Sequence, residues 1–185
     1  MATHEIDAYP EALGRGLTTA RVLQPSSLHW AAAVYGQLDL AIAFRGCAVV
    51  SNTVDIWELA EVLRHEHIAI AGLPPSMLAL LKPSDMDHRS LRCVISWGEA
   101  CPAAVAERWG APGLPWAFYD LLISTEYWLG LVGATRNDLG STVFHCVSGV
   151  QVLVCRLRDG DLDGPVFAHL RCRKTASKMQ SDGKQ

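Results

Sequence analysis

The segment from Leu91 to Leu131, LRCVISWGEACPAAVAERWGAPGLPWAFYDLLISTEYWLGL, limits the possible folds more than any other part of the chain. It reads as a short apolar strand, a Gly-Glu turn, a helix opened by Pro102, a second apolar strand, and then Ser124-Thr125-Glu126. Strands that alternate with helices build a parallel sheet, because the helix carries the chain back to the end from which the next strand starts. Small polar residues at the strand ends then collect at the carboxyl edge, where open α/β sheets bind ligands. The expected fold is α/β, a mostly parallel sheet with flanking helices plus a C-terminal β hairpin.

The alternation continues on both sides. His29 to Phe44 is apolar with a helical period, broken by Gly46 before the strand Cys47 to Val50. Positions 54–65 predict an amphipathic helix, with Ile56, Leu59, Ala60 and Leu63 on one face and Glu58, Glu61 and Arg64 on the other. The strand Ile68 to Ala71 stops at Pro74-Pro75, and Ser76 to Leu81 forms a short helix. Ala103 to Trp109 predicts a helix, Trp116 to Ile123 a strand, and Tyr127 to Val132 a helix capped by Ser-Thr-Glu. Val143 to Cys146 and Val150 to Leu157 read as strands joined by Ser148-Gly149, with Arg158 to Gly164 turning into a last strand, Pro165 to Leu170. Positions 1–20 are polar and interrupted by Pro10, Gly14 and Gly16, so they read as a tether; 21–172 form the body and 173–185 a polar tail.

Charge and cysteine usage exclude several function classes. With 16 basic and 19 acidic side chains there is no basic face for nucleic acid or anionic lipid. A membrane span over positions 30–50 is interrupted by Gln37, Asp39 and Arg45. The six cysteines occur singly, without metal-ligand or disulfide spacing, which suits reduced structural thiols in a cytoplasmic protein. His65 and His67 sit at i and i+2, so a helix turns them to different sides, and no metal is expected there. The run from Asp159 to Gly164 imitates half a calcium loop, but position twelve is Leu170 and strands flank it; it reads as a solvated turn.

Trp97-Gly98-Glu99-Ala100 and the stretch Asp120 to Glu126 stand where the adenylate-forming superfamily has Gly-Gly-Glu-Ala and Asn-x-Tyr-Gly-Pro-Thr-Glu. The chain resembles that superfamily, which holds the acyl-CoA synthetases and the adenylation domains of nonribosomal peptide synthetases. The order of pieces agrees from about Arg21 to about Leu170, including Arg21 to Leu28 as the strand leading to the acyl pocket and Pro75-Ser76-Met77-Leu78 as the Pro-Ser-x-Leu turn. The fold implied is a fragment of the adenylate-forming N-terminal domain. The chemistry implied is attack of a carboxylate on the ATP α-phosphate, giving an acyl-adenylate.

By position, the backbone of Gly98, Glu99 and Ala100 would lie along the adenine ring. Thr125 would bond the α-phosphate, and Glu126, a hard oxygen ligand, would hold Mg²⁺. Trp30 and Ala31 would line the acyl pocket. Neither Ala31 nor Ala33 supplies the carboxylate that binds an amino group in amino-acid-activating members, which disfavours an α-amino acid and leaves another small carboxylic acid as the substrate. Trp97 replaces the first glycine of one motif, and Leu122, Ile123 and Ser124 replace Tyr-Gly-Pro in the other, which predicts weaker nucleotide binding.

No residue of the chain takes the place of the family's phosphate loop, ribose-binding aspartate or catalytic lysine. The chain alone is expected to make no adenylate, and the rest of a larger synthetase is its implied partner. The alternative reading is a non-catalytic remnant that binds nucleotide or protein.

Overall fold

The computed structural model describes residues 2–53, 55–123, 128–136, 142–148, 150–155 and 169–174. Strands β1 (Arg21–Gln24), β2 (Cys47–Val50), β3 (Ile70–Leu73), β4 (Cys93–Ser96) and β5 (Ala117–Leu122) are parallel, in the order β2-β1-β3-β4-β5. Strands β6 (Leu131–Arg136) and β7 (Thr142–Cys146) extend the β5 edge in antiparallel fashion and complete a seven-stranded sheet. Strands β8 (Val150–Cys155) and β9 (His169–Lys174) pair antiparallel as a separate two-stranded sheet. The expected α/β architecture, mostly parallel with a C-terminal antiparallel pair, is the one observed.

Alternation along the strands explains why the sheet is covered on both faces. Val22, Ile70, Cys93 and Ile95 point to one core, while Leu23, Ala71 and Val94 point to the other. The first core is covered by α1 (Ala2–Leu13) and by a helical run made of α2 (Ala31–Ala33), a π turn (Val34–Leu38) and α3 (Asp39–Ala43). The second lies under α4 (Ile56–His65), α5 (Pro75–Leu80) and α6 (Ala103–Trp109). Each fully buried large apolar side chain in these layers contributes roughly 1.5–3 kcal/mol of transfer free energy.

Local chemistry sets the helix ends. The Asp55 carboxylate accepts from the backbone N–H of Trp57 at 2.7 Å and of Glu58 at 3.1 Å, so α4 starts at Ile56. Prolines open α5 and precede α6, where no backbone donor is needed. In the second core the Trp109 indole donates to the Leu78 carbonyl at 2.9 Å and the Trp116 indole to the Trp109 carbonyl at 3.1 Å. Both large rings are thereby buried without an unpaired N–H.

The structure departs from the sequence reading in three places. The expected tether contains α1, whose Ala8, Tyr9 and Leu13 are buried in the first core. Pro10 inside the helix and buried Glu5 in its packing stripe disguise the apolar period. The helix expected over Tyr127 to Val132 is absent from its described part: Leu131 and Val132 begin β6. The pair Gly130 and Gly133 is poor helix material, and Leu131 and Val132 complete the β5 edge instead. The last strand starts at His169, later than the expected Pro165, and runs past position 172 to Lys174, because pairing with β8 sets its extent. The expected turn from Arg158 to Gly164 lies outside the described residues.

Candidate functional site

Strand β4 ends at Ser96, and the backbone turns sharply at Gly98, whose φ of +88° favours glycine. The turn brings Gly98, Glu99 and Ala100 to the carboxyl edge of the sheet. There they line a cavity of about 560 Å³ together with Leu122 and Ile123 at the end of β5 and Phe144 of β7. All three residues expected along a nucleobase therefore face one cavity.

The Glu99 carboxylate, however, is engaged elsewhere. Its Oε1 accepts from the Ser76 hydroxyl at 2.5 Å and from the Ser76 backbone N–H at 3.3 Å, which ties the turn to the first residues of α5. What Glu99 offers the cavity is therefore chiefly backbone. Trp97 does not line the cavity either, because its indole goes to the opposite face of the sheet. The ring covers Gly72 of β3, where an added Cβ would come within 1.8 Å of the indole, and it meets the Trp128 ring edge-on at 5.9 Å. Exchanging the motif's first glycine for tryptophan thus fills a core position.

Asp120 forms part of the cavity floor. It is 6% exposed on β5, opposite Gly133 of β6, and its Oδ2 accepts from the Thr142 hydroxyl at 3.3 Å. Asp120 and Thr142 also line a neighbouring cavity of about 550 Å³ bounded by Ala106, Glu107 and Trp116, so the two cavities meet at this pair. Burial raises the pKa of the nearby Tyr119 phenol, with Cys93 adding to the effect.

Sequence reasoning did not single out Asp120 as a site residue, and it missed Thr142 and Phe144 entirely. The available signal for the latter two was the poor helical quality of Gly130 to Gly133, which would have turned that stretch into a strand and brought β7 beside β5.

Thr125 and Glu126 lie outside the described residues; the chain is described up to Ile123, which lines the cavity, and again from Trp128. Trp30 is 63% exposed and stacks beside His29 at 5.5 Å, while Ala31 opens α2 and packs on the first core. The structure does not bring these two residues to the cavity at the carboxyl ends of β4 and β5.

His65 pairs with Glu61 at 2.9 Å and His67 with Asp87 at 3.2 Å, so the two imidazoles diverge. Among the described residues no group of three His, Cys, Asp or Glu side chains is arranged to hold a metal. Cys47, Cys93, Cys101 and Cys146 form no disulfide. No described helix is long and apolar enough to cross a membrane.

No family model matches the chain. A stretch of 108 residues, 57% of the chain, is 36% identical to CymA of Salinispora arenicola, described as a probable non-canonical nonribosomal peptide synthetase, of which it spans 1%. Among solved structures, the amide bond synthetase McbA of Marinactinospora thermotolerans superposes over 94% of this chain and 36% of its own, with a TM-score of 0.68 and 22% identity. A benzoate CoA ligase of Burkholderia xenovorans superposes over 86% of this chain and 35% of its own, with a TM-score of 0.67 and 17% identity. The chain spans about a third of the length of these structures. It carries the fold of part of the adenylate-forming N-terminal domain, the architecture of nonribosomal peptide synthetase adenylation and acyl-CoA ligase domains.

Proposed function

We propose that the chain serves as the nucleotide-handling middle of an adenylate-forming ligase, a protein that activates a small carboxylic acid with ATP and Mg²⁺. The observation that supports this reading is the cavity of about 560 Å³ at the carboxyl ends of β4 and β5, with Gly98, Glu99 and Ala100 on its wall. Backbone groups at such an edge can meet the rim of a purine, and Gly98 leaves space there, since a Cβ added to it would touch nothing within 4 Å.

In this reading Thr125 bonds the α-phosphate and Glu126 holds Mg²⁺. The metal would neutralise charge on the phosphates during adenylyl transfer. The protein's own contribution is positioning: β4 and β5 fix the cavity walls, and the Ser76–Glu99 contact holds the turn against α5. Trp30 and Ala31 remain proposed acyl-side residues, at the start of the helical run that follows β1. The rest of a larger synthetase would supply the remaining catalytic groups.

Thermal shift and calorimetry with ATP and Mg²⁺ test the reading. Wild type should be stabilised, and Glu126→Gln should weaken ATP-Mg²⁺ binding about tenfold or more, roughly 1.4 kcal/mol. Thr125→Ala should weaken it less, and Glu99→Ala should weaken it only indirectly, by releasing the turn from Ser76. A second reading, a non-catalytic remnant that binds protein, draws on Leu122 and Ile123 lining the cavity where the resemblance implies tyrosine and glycine. That reading predicts no shift of wild type by ATP-Mg²⁺ and no effect of Glu126→Gln.

A further inference from the structure

The turn that carries Gly98 is held through the residues on either side of it. Gly98 itself has nothing within 4 Å of where a Cβ would stand, so its place is set by its neighbours. Towards α5, the Glu99 carboxylate takes the Ser76 hydroxyl and backbone N–H. Towards the first core the neighbour is Trp97, 4% exposed, whose indole fills the space above Gly72 and meets the Trp128 ring edge-on. Both indoles also reach the helical run that follows β1. A Cβ added at Gly36, in the π turn, would come 2.6 Å from the Trp128 ring and 3.3 Å from the Trp97 ring. Glycine is a poor helix former, and here it admits the two rings.

One hydroxyl pins Trp128. Tyr9, on α1 and fully buried, donates to the Tyr35 carbonyl at 2.5 Å and accepts from the Trp128 indole N–H at 2.7 Å. The π turn favours this bond, because the Asp39 N–H, which in an α-helix would bond the Tyr35 carbonyl, donates to Val34 instead. Burial pushes the Tyr9 pKa up, so the phenol keeps its proton and can donate and accept at once. Phenylalanine in its place would leave a buried N–H and a carbonyl without this partner.

We propose that Tyr9 is a positioning residue of the candidate site: its hydroxyl fixes Trp128 against the π turn, Trp128 fixes Trp97, and Trp97 sets where the Gly98 turn stands on the cavity wall. The effect on a ligand rests on the nucleotide reading of that cavity, whereas the effect on the turn does not. A Tyr9 that only stabilised the fold would raise the melting temperature and leave the turn where it is.

The test compares two variants of the whole chain. Tyr9→Phe keeps the ring and removes the hydroxyl. Trp109→Phe removes a buried indole–carbonyl bond from the second core, at a residue that does not line the cavity. Without nucleotide, assigned NMR amide spectra of Tyr9→Phe should show the Trp97 and Gly98 signals displaced and those of Leu63 and Leu78 in place. Trp109→Phe should leave Trp97 and Gly98 as in wild type. Calorimetry with ATP and Mg²⁺, well below both melting temperatures, should find binding weakened about fivefold or more in Tyr9→Phe and unchanged in Trp109→Phe. In wild type the Trp128 indole N–H should exchange slowly with solvent. The proposal is overturned by unmoved Gly98 signals in Tyr9→Phe, by equal displacement in both variants, by an unchanged ATP affinity where wild type binds, or by a rapidly exchanging Trp128 N–H. If Tyr9→Phe does not fold, Trp128→Phe, which removes the donor at the other end of the bond, is read in the same way. If wild type binds no ATP, the nucleotide reading falls and the amide signals alone decide the role of Tyr9.

Discussion

Asp87 illustrates how one side chain organises a loop and makes it sensitive to acid. Its Oδ2 accepts from the Ser90 hydroxyl at 2.5 Å and pairs with the His67 ring at 3.2 Å, while Oδ1 accepts from the Arg89 backbone N–H at 3.0 Å. These contacts secure the connection into β4 and the His67 backbone, which sits at a φ of +48° just past the end of α4. The Ser90 bond first, then the Arg89 N–H and His67, lower the Asp87 pKa to about 2. A lowered carboxyl stabilises the fold above its unfolded pKa and loses that contribution as pH falls through the folded value. Asp87→Asn should melt lower than wild type at neutral pH, and the two curves should converge between about pH 4 and about pH 2. Parallel curves across that window would show that Asp87 contributes no pH-linked stability. Burial raises the carboxyl of Asp39 instead, so that acid contributes a slope of opposite sign, above the ordinary carboxylate range.

Between elements, the closest fit is where β3 passes under the β4 edge. Gly72 has no side chain because the Trp97 ring occupies that space, at 1.8 Å from where a Cβ would stand. A glycine inside a strand normally weakens it; here it admits a ring that links the sheet to Trp128. Gly72→Ala should cost about 1–3 kcal/mol through overpacking. Trp97→Ala alone should cost roughly 3–5 kcal/mol as a cavity. The double variant should be markedly less unstable than the sum, because the new methyl then enters vacated space. Denaturant melts of the four proteins test this, and strict additivity would mean that the two residues do not share the space.

At the scale of the whole molecule, the sheet divides the chain into two cores, and the first depends on α1. Deleting residues 1–13 would remove buried Ala8, Tyr9 and Leu13 from the first core and take away the Tyr9 hydroxyl that joins the Tyr35 carbonyl to the Trp128 indole. The shortened protein should bind a hydrophobic dye and lose its cooperative melt; an unchanged melting curve would make the helix an ornament of the fold. The parallel part of this architecture was legible in the sequence because it is written in local signals. Alternation along β4 and β5, prolines before α5 and α6, and the amphipathic face of α4 each act within a few residues. The same local order led to Gly98, Glu99 and Ala100 at one sheet edge. Helix α1 was hidden because Glu5 interrupts its apolar stripe and Pro10 stands inside it. Likewise β6 and β7, and with them Thr142 and Phe144 on the cavity wall, follow from pairing against the β5 edge, a partner distant in sequence. The destination of the Trp97 side chain was decided by the room above Gly72. Sequence alone determined the alternation of strands and helices from β1 to β5 and the residues at their ends, since backbone preference and hydrophobic period are local. Only the tertiary structure decided which polar groups are buried together and which strands close the cavity, since those depend on contacts between segments that the chain brings together only on folding.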